Sequence, residues 1–218
     1  MLFRYPEGAA FNRVVPKNKI YAHGRASNRL KQLFVDQVSK ITWRYKLSTP
    51  TTNLPSLPTV PEIQIFEIVQ KEESIKDDVL RCIDNAIQFP IVFELCYEDA
   101  VKSKAAFKRP SESGSMKWVV SEYFESNWQP ADSQRDPLPV SLDLPKLYDQ
   151  MLRRLMPFPA RDGESLKAHV ERLSAARIKE GQCSKLEARM KVEKQFNRKV
   201  QINATLREIR HELDGLIR

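Results

Sequence analysis

The chain has 218 residues, is 41% hydrophobic and carries a formal net charge of +8. That length holds one medium domain and an extension. No run reaches the roughly 18–20 apolar residues of a membrane span, and no apolar signal-peptide core is visible near the N-terminus. The expectation is a cytoplasmic, bacterial protein that does not bind membranes.

Charge is unevenly spread. Residues 1–47 carry +8, residues 48–163 carry −5, and residues 164–218 carry +5. Two readings stay open: a nucleic-acid or acidic-protein partner, or basic ends folding onto the acidic middle. Cys82, Cys96 and Cys183 are odd in number and far apart, so they read as small buried hydrophobes in a reducing compartment.

Residues 1–24 alternate apolar clusters with Pro6, Pro16 and Gly24, which predicts an ordered arm rather than a disordered tail. A helix starts near Ser27, a good N-cap. Continued to Tyr45, it would put Leu30, Phe34, Val38 and Ile41 on one face. Arg25, Arg29, Lys40 and Arg44 would then fall on the other with Trp43, a combination suited to gripping nucleic acid. The competing reading ends the helix near Lys40 and makes ITWRYKL a strand, since Ile41, Thr42, Trp43 and Tyr45 favour strands.

A proline-rich connector, 48–61, leads into the centre of the chain. EIQIFEIVQ reads as a strand buried on both faces. Ile75, Val79, Leu80, Ile83 and Ile87 recur at helix spacing, and Ile91–Leu95 begins a second buried strand. That order predicts a parallel crossover. Val101–Lys108 reads as an antiparallel partner, Pro110–Ser115 as a flexible loop and Lys117–Phe124 as another strand. The expected class is α+β, a mixed sheet of about four strands with helices chiefly on one face.

The expected organisation is an α+β domain with its arm over 1–128, a proline-rich linker over 129–142, and a short helix over 143–156. A helical tail covers 164–218. From Val192 the apolar steps average about 3.5 residues, as in a coiled-coil seam. Val192, Phe196, Val200, Leu206 and Leu213 are the candidate partner-binding positions. Gly181 and Gln182 interrupt the pattern, leaving either one kinked helix or an antiparallel hairpin.

Chemical motifs are scarce. The 6 glycines are too scattered for a phosphate-cradling loop. His23, His169 and His211 have no second ligand at metal spacing, and neither zinc nor serine-hydrolase signatures occur. No cofactor or metal is expected. Glu62, Glu67 and Glu94 are weak catalytic candidates for a metal-dependent nuclease, with Glu62 and Glu94 placed to approach across the sheet. The alternative is that they are ordinary solvated charges at strand ends.

Three pieces in order, YPEGAAFNRVVPKNKIY, KITWRYKLSTPTTNLP with EIQIFEI, and VEKQFNRKVQINATLREIRHELD, carry a resemblance. Together they resemble the bacterial family of domain of unknown function 4391 over essentially the whole chain. That family has no catalytic residues to carry over. Its members' neighbourhood of helicase, methyltransferase and restriction-type genes implies an accessory role in DNA modification or phage defence. The resulting expectation is a non-enzymatic module that meets a helicase- or methyltransferase-type protein through its tail, and DNA through a basic surface. A self-associating structural protein is the alternative.

Overall fold

The computed structural model describes residues 2–111 and 118–218. It divides into two units, Met1–Pro157 and Phe158–Arg218. The first begins with β1 (Phe3–Arg4), β2 (Ala10–Val14), α1 (Lys17–Gly24), α2 (Asn28–Gln37) and β3 (Val38–Leu47). A single turn α3 (Thr49–Thr52) precedes β4 (Ile63–Gln70), α4 (Asp77–Ala86), β5 (Ile91–Tyr97) and β6 (Ala100–Pro110). Then come β7 (Trp118–Glu125), β8 (Gln129–Pro130), β9 (Asp136–Pro137) and α5 (Leu144–Arg153). The second unit holds α6 (Leu166–Val192) and α7 (Phe196–Ile217). The expected loop Pro110–Ser115 falls largely outside the described residues.

The main sheet has 7 strands rather than four, in the order β2-β3-β4-β5-β6-β7 with β8 beside β6. Only β4 and β5 run parallel within it, joined through α4, and the remaining pairs are antiparallel. One extra strand arises because α2 stops at Gln37. The β-branched and aromatic run after it crowds a helix but packs well on a pleated surface. The Lys17 ammonium donates to the Phe34 (3.0 Å) and Val38 carbonyls, closing the end of α2. The strand reading of ITWRYKL is therefore the observed one.

One face of the sheet is covered by α1, α2 and α4. Phe66, Ile68, Phe93 and Leu95 pack there against Ile20, Phe34, Val79 and Ile83. Helices thus lie chiefly on one side, in line with the expectation, and α5 adds a further packed face. Leu144, Leu147, Tyr148, Met151 and Leu152 of α5 are all buried. Beyond its last β5 pair, Val92–Ala105, strand β6 runs on. There Tyr148 takes over as partner. Its hydroxyl donates to the Ala106 carbonyl (2.6 Å) and accepts from the Lys108 N–H (3.0 Å). Tyr148→Phe orphans both groups and should cost about 1–3 kcal/mol. A urea titration followed by tryptophan fluorescence checks this, and an unchanged midpoint would contradict it.

The segment 129–142 is not a boundary. Residues Gln129–Pro130 pair with β6, Asp136–Pro137 pair with β1, and α5 belongs to the first unit. Proline here marks sheet edges instead of a linker.

In the second unit α6 runs through Gly181 and Gln182 without a break, and the chain turns at Glu193–Gln195. The result is an antiparallel hairpin. The Glu193 carboxylate accepts the Lys194 (2.8 Å) and Gln195 (2.9 Å) N–H groups. Val170, Leu173, Ala176 and Cys183 of α6 and Ile202 and Leu206 of α7 are the hairpin's buried apolar and thiol side chains. Arg210–Glu187 (2.7 Å) and Lys179–Glu212 bridge it.

Candidate functional site

Helix α1 crosses α4 very closely. A Cβ on Gly24 would lie 2.6 Å from both the carbonyl oxygen and Sγ of Cys82, so only glycine allows this approach. Arg25 then takes a left-handed conformation (φ 51°) to turn the chain into α2. Ser27 caps α2 by accepting the Leu30 N–H (3.3 Å). This tight crossing leaves three hollows along the α1–α4 line, with volumes of about 340, 460 and 560 Å³. The first two share Gly24 and Asn85, while the last two share His23, Ile87 and Gln88. They form one groove.

Cations and aromatic rings alternate along it. Arg29 lines the first hollow beside the α2 N-terminus, Arg25 and Trp118 the second, and Lys19, Trp43 and Phe89 the third. Arg25, Arg29 and Lys19 are exposed and have no ion-pair partner among the described residues. Arg81 also faces the first hollow but is held by the Val120 (3.0 Å) and Ser121 (2.9 Å) carbonyls. Asp84 and Glu62 are both engaged by lysines, which leaves Asp78 as the lining acid without an ion pair among the described residues.

Behind the middle hollow lies a buried polar cluster. Lys108 is 1% exposed and Asp84 3%. The ammonium donates to the Asp84 and Ile87 carbonyls at the end of α4 and pairs with Asp84 Oδ1 (3.3 Å). The Tyr123 hydroxyl donates to Asp84 Oδ2. Burial pushes the Asp84 carboxyl up and the Lys108 ammonium down. The cluster is a cap for α4, set where the helix carbonyls are negative.

The sequence-predicted basic surface is divided. Arg25 and Arg29 come together on the groove. Lys40 is exposed at the start of β3, and Arg44 pairs with Glu67 (3.4 Å). Their shared face needed a helix through residue 45, and the strand removes it. Trp43 is half-buried, lying against Phe11 (4.1 Å between centroids) and parallel to Phe66 (5.9 Å), with its indole N–H on the Tyr45 carbonyl (3.0 Å).

The carboxylates also separate. Glu67 and Glu94 are neighbours in the parallel β4–β5 register. Glu94 is clamped by Arg135 (2.7 and 3.0 Å). Glu62, an odd number of residues from Glu67, points to the opposite face, where it pairs with Lys46 (2.7 Å). The expected approach of Glu62 to Glu94 does not occur, because alternation along the strand separates them. Among the described residues no three His, Cys, Asp or Glu side chains converge on a metal position.

On the tail, Leu206 is buried in the hairpin and Leu213 is half-buried, whereas Val192 (76%), Phe196 (77%) and Val200 (53%) are exposed at its tip. The single seam read from the sequence is thus two surfaces. Lys19, His23, Lys46, Gln64, Phe89 and Trp118 were invisible as site residues, since they come from five separate segments and share no spacing.

The family model described as "Domain of unknown function (DUF4391)" matches residues 3–213. No curated protein and no solved structure matches. No described helix is long and apolar enough to cross a membrane.

Proposed function

The chain belongs to the DUF4391 family, and from that premise we propose that it is a non-enzymatic accessory module that binds single-stranded nucleic acid along the α1–α4 groove. The observation that carries this reading is the alternation of exposed cations (Arg29, Arg25, Lys19) with Trp118, Trp43 and Phe89. Such a surface tracks phosphates with its charges and stacks unpaired bases on its rings. The start of α2 adds oriented N–H groups beside Arg29. A duplex keeps its bases stacked inside, so it would leave the aromatic positions unused.

The hairpin tip supports a second contact. Val192, Phe196 and Val200 are exposed among Arg189, Lys191, Lys194, Arg198 and Lys199. Apolar side chains ringed by cations suit an acidic protein surface, such as one on a helicase- or methyltransferase-type protein.

The test is fluorescence anisotropy of labelled oligothymidylate with the full chain over a range of salt. Arg25→Ala with Arg29→Ala should weaken binding and lower the slope of log K against log salt by about 1.4, or 0.7 for each lost single-strand phosphate contact. Unchanged affinity and slope would overturn the groove reading. Retention of a self-associated form with no oligonucleotide binding would favour a purely structural protein.

A further inference from the structure

We propose that the third and largest hollow of the groove is a pocket for one unpaired guanine base, a reading that rests on the single-strand interface above. Its volume, about 560 Å³, lies within the range of roughly 300–1,000 Å³ typical of small-ligand sites. The walls are apolar and flat: Trp43 and Phe66 rise from the sheet, and Phe89 and Ile87 come from the turn before β5. Polar groups converge at the floor. Glu62 is only 8% exposed, pairs with the Lys46 ammonium (2.7 Å) and accepts from the Gln64 amide. Lys19 and His23 stand at the mouth, where the backbone of a bound strand would pass.

The chemistry of that floor selects among bases. An ionised carboxylate has acceptors only, and the lysine has donors only. The Watson–Crick edge of guanine offers two adjacent donors, N1–H and the exocyclic amine, next to a carbonyl. Glu62 can accept both donors while Lys46, with donors beyond the one on Glu62, reaches the carbonyl. Adenine and cytosine would turn a ring-nitrogen acceptor toward the carboxylate. Thymine has a single N–H between two carbonyls. Binding exchanges the Glu62–Gln64 hydrogen bond for the base, and the Lys46–Glu62 ion pair stays in place.

The experiment measures binding of the full chain to oligothymidylates whose central position is thymine, guanine or abasic, with guanosine monophosphate titrated separately by calorimetry. The guanine-bearing strand should bind about tenfold tighter than the other two, a modest value for one well-formed bidentate contact. Glu62→Gln should abolish the affinity ratio between the guanine and abasic strands, and an unchanged melting midpoint shows that the variant is folded. Equal affinity for guanine and abasic strands overturns the pocket and leaves the groove standing. Guanosine monophosphate binding without any strand binding supports the pocket and overturns the groove. Binding of neither overturns both.

Discussion

Lys108→Ala is expected to destabilise the first unit by about 3–5 kcal/mol, because it leaves a buried carboxylate without its counter-charge. That is a fall of the melting midpoint on the order of 10 °C. The lysine does two jobs at once. It neutralises Asp84 (3.3 Å), and it supplies donors to the Asp84 and Ile87 carbonyls at the end of α4. Alanine removes both and opens a cavity beside Tyr123. The pH dependence has a definite sign. Burial raises the folded Asp84 pKa above its unfolded value, so the ionised group costs stability at high pH. That cost disappears as pH falls through the folded pKa. The deficit of Lys108→Ala should therefore shrink in acid. Trp43, Trp118 and Trp128 all lie in the first unit, so intrinsic fluorescence reads its unfolding directly. A variant that melts with the parent at neutral pH would show that the pair is dispensable.

The same cluster shows where sequence reasoning stops. The β4–α4–β5 unit was legible because its residues state their environment: continuous β-branched runs for the two buried strands, and apolar recurrence at helix spacing for Val79, Leu80 and Ile83. Lys108 carries no such mark. It sits in a strand of ordinary composition, and its partner Asp84 is on a helix that reads as amphipathic with or without it. The switch from α2 to β3 at Val38 was legible only as a choice, since local propensity favoured a strand while helical periodicity continued past it. That choice decided the basic surface: Arg25 and Arg29 survive as neighbours, and Lys40 and Arg44 leave them. The groove was beyond reach for another reason. Its lining side chains arrive from α1, β3, β4, the turn before β5 and the start of β7, and only the sheet order brings those ends together.

In the tail, Arg172→Ala is expected to loosen the base of the hairpin, with a loss of about 1.5–3 kcal/mol because Glu164 and two carbonyls lose charge-assisted hydrogen bonds. Arg172 is a junction. Its guanidinium holds both oxygens of Glu164 (2.7 and 2.9 Å), the Pro159 carbonyl (2.9 Å) and the Leu216 carbonyl (2.7 Å). The last contact places a cation at the C-terminal end of α7, where the carbonyls have no helical partner. The seam above it is narrow, and Val192, Phe196 and Val200 are left to solvent, so little apolar area stands in for the lost junction. Hydrogen bonds from Arg172 bring the Glu164 carboxyl down from 4.5 to about 2. A depressed carboxylate contributes stability that is complete above its unfolded pKa and is lost as pH falls through the folded one. The parent hairpin should therefore lose helical circular dichroism between about pH 4.5 and 2, and Arg172→Ala should start from a lower stability with that acid dependence flattened. Arg172→Lys keeps the charge but not the fork that spans both Glu164 oxygens, and should fall between the two. If Arg172→Ala and the parent lose helix over the same acid range, the junction does not hold the hairpin, and the tip must owe its position to the seam alone.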